Sequence, residues 1–140
     1  MEFNYGFVLE KTGKKIKQVL QKQFSVKGID ITIDQWVILH ELYVHGKQNQ
    51  VHLCERVYKD APTVTRIIEL LEKKSLVVRK ASKEDRRKFD ITLSTSGKAL
   101  VKKLLPYVVA FRKSGWQGLN EQDIRHLQRI TQKIEQNLVL

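Results

Sequence analysis

Apolar residues recur at helical spacing over most of this chain, with a short alternating stretch in its middle. In a helix predicted over 61–74, they recur at i, i+3, i+4 and i+7 from Val64 to Leu71, which indicates one buried face. Similar spacing predicts five more helices, over residues 4–26, 32–46, 51–58 and 95–113 and from residue 120 towards the end of the chain. The pattern therefore predicts a mainly α-helical protein with six helices.

Polar residues at the predicted helix ends support these boundaries. Thr32 and Gln35 stand three residues apart, which is the spacing of a capping box. Thr95 is predicted to cap the fifth helix, and Asn120 precedes the acidic first turn of the sixth. Pro106 lies inside the fifth helix and removes one backbone hydrogen bond, so we expect a kink there.

The alternating stretch follows the fourth helix and predicts a β-hairpin. A β-rich segment at 76–80 leads into a charged tip, SKEDRR, and the chain returns through Phe89, Ile91 and Leu93, which alternate with polar residues. A helix followed by a basic hairpin is the order of elements in a winged helix-turn-helix. We therefore predict an α+β fold, mainly α with a small β-hairpin wing.

Charge points to the same part of the chain. The net charge is +11, and residues 59–103 hold 13 Lys and Arg against 6 Asp and Glu, a surplus of 7. The other 95 residues hold 13 against 9, a surplus of 4. A concentrated basic patch attracts a polyanion and releases its counterions on binding, whereas scattered lysines indicate only a solvated surface. The sequence therefore predicts duplex DNA as the partner.

Other classes of protein find little support in the residues. A single cysteine excludes an intramolecular disulfide and is typical of a reducing cytosol. The N-terminus lacks a basic-then-apolar signal segment, and no apolar run approaches the roughly 18 residues of a membrane span. Metal-ligand clusters, phosphate loops and nucleophile motifs are also missing. We therefore expect a cytoplasmic protein without membrane contact, enzymatic activity, cofactor or metal.

Four segments resemble the MarR-type (multiple-antibiotic-resistance) transcriptional regulators. They are ITIDQWVIL, LCERV, PTVTRIIELLEKK and EDRRKFDITLSTSGKAL, and the resemblance in order and spacing covers almost all 140 residues. It implies a homodimeric repressor, bacterial or archaeal and nucleoid-associated, that binds a palindromic operator and is relieved by a small ligand or by thiol oxidation. It also implies one domain, 1–140, with a winged helix-turn-helix lobe at 32–97 and dimerisation helices (first, fifth and sixth) within 1–30 and 98–140.

The resemblance implies roles for individual residues. Arg79 and Asp85 correspond to an ion pair that braces the wing, and Arg87 to the arginine that enters the minor groove, where A·T-rich DNA concentrates negative potential. Thr63 and Arg66 lie near the start of the recognition helix, although Arg66 could contact only phosphate or solvent. Arg86 could equally be a surface charge that supports the wing. The full predicted DNA-contact set is Thr63, Thr65, Arg66, Lys83, Arg86, Arg87 and Lys88.

Three departures from the family pattern bear on function. Ser75 stands where the family usually has Gly at the end of the recognition helix. Leu70 replaces a residue that is usually polar, and we expect it to pack in the core rather than contact a thymine methyl group. The first helix lacks the reactive cysteine of the peroxide-sensing branch, while Cys54 stands where the family has a small Ala. A redox role for Cys54 is an alternative to that of an inert buried side chain.

The effector and the exact class of interaction stay open at this point. A ligand crevice for a phenolic or similar small molecule is expected where helices 1, 2 and 5 meet the DNA-binding lobe. Its candidate liners are Tyr5, Trp36, His40 and Tyr43, although ordinary core and interface aromatics are the favoured interpretation. A winged helix that binds protein or RNA is the other alternative, and poor side-chain access to the A-form groove argues against sequence-specific RNA binding.

Overall fold

The computed structural model describes residues 4–140 as six helices and three short strands. In chain order these are α1 (Tyr5–Val26), α2 (Ile33–His45), β1 (Gln48–Asn49), α3 (Gln50–Val57), α4 (Ala61–Lys73), β2 (Val77–Ala81), β3 (Phe89–Leu93), α5 (Thr95–Gly115) and α6 (Glu121–Asn137). The chain divides into two compact units, with the division between Pro106 and Tyr107. The predicted winged helix-turn-helix with six helices is confirmed.

The first unit is organised around the apolar faces of α2, α3 and α4. Within it α4 buries the predicted stripe from Val64 to Leu71, and α1 contributes Leu20 and Phe24. Ile91 from the sheet is fully buried. The remaining buried apolar residues of this unit are Ile31, Ile33, Trp36, Ile38, Leu39, Leu42, Leu53, Leu76, Val77, Val101 and Leu104. The core thus holds the helix-turn-helix and the base of the wing together.

The wing contains a strand that the sequence did not predict. The antiparallel sheet has the order β1-β3-β2, with Ala81 opposite Phe89 near the tip of the hairpin. β1 pairs Gln48 with Ile91 and Asn49 with Asp90. A strand of two residues is too short to give an alternating pattern, so its pairing was not visible in the sequence.

The capping box predicted at Thr32 is present, and Asn120 forms a second capping box with Asp123. The cap predicted at Thr95 is wrong, since Ser94 takes this role. Its Oγ accepts a hydrogen bond from the backbone N–H of Gly97 at 3.0 Å. The same hydroxyl donates to the carbonyl oxygen of Ser75 at 2.6 Å, which holds Ser94 at the cap position.

Two of the departures from the family pattern, Ser75 and Leu70, lie in or just after α4. Ser75 keeps the left-handed conformation of the usual glycine, with φ 60°, just after the helix end. Leu70 is 43% exposed, so the expected core packing is wrong. The inward stripe of α4 is already filled by Val64, Ile67, Ile68 and Leu71, and Leu70 lies beside it rather than on it.

The second unit contains the end of α5 and all of α6. Within the part of the chain that the structure describes, α6 buries none of its residues. Of the apolar face predicted from Ile124 to Leu138, Ile124 is half-buried, while Leu127, Ile130, Ile134 and Leu138 are exposed. Among residues 4–140, no helix is both long and apolar enough to cross a membrane.

Candidate nucleic-acid interface

The helix-turn-helix is formed by α3, a three-residue turn and α4. Tyr58 ends α3 in a left-handed conformation, with φ 54°, and Asp60 precedes the first residue of α4 in an extended one. Pro62 lies in the first turn of α4, where its missing N–H costs no helical hydrogen bond. Tyr58 and Asp60 therefore turn the chain between the two helices, and Pro62 adds no unpaired backbone N–H to the first turn of α4.

The two threonines at the start of α4 differ in their hydrogen bonds. Thr63 Oγ1 donates its proton to the Asp60 carboxylate at 2.5 Å, and this bond lowers the pKa of Asp60. Thr65 Oγ1 instead accepts a hydrogen bond from Gln50 Nε2 at 2.7 Å. Because phosphate oxygens only accept, the hydroxyl proton of Thr65 is available to them while that of Thr63 is already committed.

Arg66 lies one helical turn into α4 with its side chain in solvent. It forms no salt bridge with any residue between 4 and 140. An unpaired guanidinium near the N-terminus of this helix can reach base edges or phosphates without first breaking an intramolecular contact. Both uses of Arg66 considered from the sequence are compatible with this geometry.

Asp85 shapes the tip of the wing. Its carboxylate accepts a hydrogen bond from the backbone N–H of Arg87 at 3.0 Å, and its carbonyl accepts one from the N–H of Lys88 at 2.9 Å. Arg87 Nε also lies 3.3 Å from the Asp85 carboxylate, yet the Arg87 side chain is 92% exposed. The tip is therefore folded by backbone contacts while its arginine extends into solvent.

The expected ion pair between Arg79 and Asp85 is replaced by other contacts. Arg79 Nε lies 3.9 Å from a carboxylate oxygen of Glu72, near the end of α4. Its guanidinium also lies over the ring of Phe89, 4.3 Å from the centroid. The register explains this choice, since Arg79 pairs with Ile91 and Phe89 is two residues away on the same face of β3. Arg79 thus braces the wing against α4 and not against its own tip.

The start of α3, the start of α4 and the wing surround an open cleft of about 320 Å³. It is lined by Gln50, Val51, Cys54, Glu55, Ala61, Arg87, Lys88 and Phe89. Outside the cleft, Lys83 and Arg86 are exposed at the wing tip and form no salt bridge among the described residues. The predicted contact residues therefore lie on two elements, α4 and the wing, with the cleft between them and basic side chains on the wing side.

The environment of Cys54 opposes a reactive thiol. Burial raises its pKa, and the negative charges of Asp60 and Glu55 raise it further. Since the thiolate is the reactive form, these effects lower its reactivity at neutral pH. The cysteine is partly buried and unbridged.

The four candidate ligand liners lie in different surroundings. Trp36 is buried, with its ring edge-on to Phe24 at 6.3 Å and tilted against His40 at 5.4 Å. Tyr43 is half-buried on the same helix, and Tyr5 is 71% exposed. The contacts of Trp36 are those of a core side chain, and a ligand role for the four residues stays a prediction.

These features define a winged helix-turn-helix, a fold that presents a recognition helix and a basic wing to DNA. The MarR family model matches residues 31–89, which run from the start of α2 to the wing. The chain also matches the DNA complex of S. aureus MepR over 98% of its own length and 100% of that chain, with a TM-score of 0.86 and 25% identity. The resemblance seen in the sequence to the MarR family, a family of DNA-binding transcription regulators and not of enzymes, is thus confirmed over the winged helix-turn-helix.

Two further solved structures extend the comparison. One is BpsR of Bordetella bronchiseptica, which is 25% identical over 96% of both chains, with a TM-score of 0.84. The DNA binding of BpsR is described as regulated by 6-hydroxynicotinic acid. A mutant of E. coli MarR in complex with operator DNA is 22% identical, with a TM-score of 0.82, over 92% of this chain and 91% of that one. At this identity the MarR structure supports the fold alone.

Proposed function

We propose that this protein is a homodimeric repressor that binds a palindromic operator and whose DNA affinity is changed by a small ligand. The observation that carries the proposal is the arrangement of α4 and the wing. Arg66 is exposed on α4, and Arg87 extends from a wing tip whose backbone Asp85 holds in place. A wing tip whose backbone is already folded in the free protein loses less entropy when its arginine enters a minor groove.

The proposed DNA contacts follow from these hydrogen bonds. Thr65 and Arg66 would meet base edges or phosphates in the major groove, and Arg87 the adjacent minor groove. Lys83, Arg86 and Lys88 would contact phosphates, because flexible cations at a hairpin tip carry no base-reading geometry. Thr63 ranks below Thr65 as a DNA contact, since its proton is donated to Asp60.

Dimerisation is proposed from apolar surface that a single chain leaves uncovered. The face of α6 from Leu127 to Leu138 is exposed, and the N-terminal part of α1 exposes Tyr5, Phe7, Val8 and Leu9. Contiguous apolar faces of this kind usually mark a protein interface. We assign them to a second copy, with residues 32–97 as the DNA-binding lobe and 1–30 with 98–140 as the dimerisation region.

The effector is proposed to be a small aromatic or phenolic molecule. BpsR supports this class, since its DNA binding is described as regulated by 6-hydroxynicotinic acid. The crevice proposed for it would be lined by Tyr5, Trp36, His40 and Tyr43, the candidates from the sequence. Redox control through Cys54 is the less favoured alternative, because its thiol pKa is raised.

The test is a binding titration on the DNA upstream of the protein's own gene, at about 150 mM salt and with tRNA as competitor. Arg87→Ala should weaken operator binding by roughly 1–3 kcal/mol, because it removes the proposed contact between the Arg87 side chain and the minor groove. Lys83→Ala is the matched control, and it should cost less and act equally on all DNA sequences. If Arg87→Ala binds like the wild type, the proposed role of the wing is wrong, and if tRNA competes as well as the operator, the proposed function is wrong.

A further inference from the structure

A single carboxylate joins α1 to the turn of the helix-turn-helix. Asp34 lies in the first turn of α2, and its Oδ1 accepts hydrogen bonds from Lys17 Nζ at 2.8 Å and from Lys59 Nζ at 2.9 Å. Lys17 belongs to α1, and Lys59 stands in the turn directly before α4. Three separate elements therefore meet at one oxygen atom.

The same corner of the fold also holds the other end of α4. Lys74, the residue after α4, donates from Nζ to the carbonyl oxygen of Asp30 at 2.6 Å, in the connection between α1 and α2. Gln21 Oε1 on α1 accepts a hydrogen bond from the backbone N–H of Ile33 at 2.9 Å, which fixes α1 to this connection. The corner, residues 27–34, thus contacts the chain immediately before and immediately after the recognition helix.

The chemistry at Asp34 suits a rigid joint. Partial burial opposes its ionisation, but hydrogen bonds from Lys17 and Lys59 outweigh this and lower the pKa of Asp34, so it stays charged at neutral pH. The Lys59 side chain is only 22% exposed, so this pair is less weakened by solvent than an ordinary surface pair. Neutral acceptors bind ammonium groups less strongly than a carboxylate does, so an amide would not hold both lysines in the same way.

We propose that Asp34 is a positioning residue that transmits the orientation of α1 to the recognition helix and so sets the operator spacing that the protein accepts. The inference rests on the proposed function, in which α1 belongs to the dimerisation region and two recognition helices enter successive major grooves. Their separation then depends on the angle between α1 and α4 in each copy. The corner of residues 27–34 contacts α1 and the chain at both ends of α4, and so helps to fix this angle.

The test measures binding to operators whose half-site centres are moved by one or two base pairs in either direction from the preferred separation of about 10. For the wild type we expect a sharp optimum. Asp34→Asn should flatten this profile, lowering the affinity ratio between the preferred and the one-base-pair-shifted operators by roughly threefold or more. Glu10→Gln is the matched control, because it removes one negative charge from an exposed pair within α1, and its profile should remain sharp.

Lys17→Met cuts the same joint on the α1 side and should also flatten the profile, with Lys14→Met as its control. Lys17→Met keeps the test decisive if Asp34→Asn fails to fold. Equal weakening at every spacing would overturn the inference in favour of a purely stabilising role. Tighter binding with a steeper salt dependence would overturn it too, since Asp34 would then only mask the charge of Lys59. A wild type without any optimum would instead refute the two-fold operator of the proposed function.

Discussion

Gly97, in the first turn of α5, faces a backbone carbonyl that cannot move away. A Cβ added at Gly97 would lie 2.1 Å from the carbonyl oxygen of Leu76 and 3.2 Å from Cδ2 of Leu93. That carbonyl accepts a hydrogen bond from the backbone N–H of Ser94 at 3.0 Å, so it is fixed by the same junction that Gly97 belongs to. In Gly97→Ala, the start of α5 must therefore separate from the start of β2.

The expected cost follows from the contacts at this junction. Overpacking that shifts backbone costs roughly 1–3 kcal/mol. The bond from Ser94 N–H to Leu76 and that from Ser94 Oγ to Ser75 would each contribute about 1 kcal/mol if broken. The higher helix propensity of Ala offsets roughly 0.5–1 kcal/mol. We expect Gly97→Ala to lower the free energy of unfolding by about 2–4 kcal/mol.

The assay is urea unfolding followed by circular dichroism at one fixed protein concentration, because the stability of the proposed dimer would depend on concentration. Gly13→Ala provides the control. Gly13 lies inside α1, and an added Cβ would meet no described atom within 4 Å, so the change should stabilise by roughly 0.5–1 kcal/mol. A value for Gly97→Ala within about 0.5 kcal/mol of the wild type would refute the reasoning.

Three further predictions follow from single residues. Ser75→Gly should raise the free energy of unfolding by about 1 kcal/mol, because glycine adopts φ 60° without a Cβ penalty, and an unchanged urea midpoint would contradict this. Cys54 should react with a maleimide at pH 7 more slowly than glutathione does, because burial raises the pKa of its thiol, and faster modification would revive the redox alternative. The pKa of Asp34 is lower in the folded protein than in the unfolded chain, where it is about 4, so the ionised carboxylate stabilises the fold above about pH 4. This stabilisation is lost as the pH falls through the folded pKa. The difference in unfolding free energy between wild type and Asp34→Asn should therefore be constant from about pH 7 to 5 and shrink below about pH 4. A difference that stays constant down to about pH 3 would show that the two lysines do not stabilise the carboxylate.

Periodic burial made most of the fold predictable. The helix predicted over 61–74 is observed as Ala61–Lys73. It was predictable because the i, i+3, i+4, i+7 spacing of apolar residues is a property of the helix itself. The wing was predictable for the same reason, since Phe89, Ile91 and Leu93 alternate with polar residues in a strand of five residues. Thr32 was identified because a capping box is a contact over only three residues.

Contacts chosen in three dimensions were not predictable. The resemblance paired Arg79 with Asp85, yet the Arg79 side chain lies against Glu72 and Phe89. The register of the sheet sets these neighbours, and the sequence does not show the register. Ser94 and Thr95 are both good caps, and only the carbonyl of Ser75 distinguishes them. The joint at Asp34 involves partners 17 and 25 residues away, and a single sequence gives no signal for such contacts.

Asp85 and Asp34 illustrate two uses of a carboxylate beside a basic partner. The Arg87 side chain is almost fully exposed, so its pair with Asp85 contributes little and can be given up when Arg87 enters a groove, under the proposed function. The bond from the Arg87 backbone N–H to Asp85 does not need to break, and it keeps the wing tip folded while the side chain moves. At Asp34 the two lysine ammonium groups are themselves the structural contacts, so losing them alters the joint between α1 and the turn before α4. Under the proposed function, Asp85 would therefore orient a DNA contact without holding it, whereas Asp34 would hold the elements that carry the contacts.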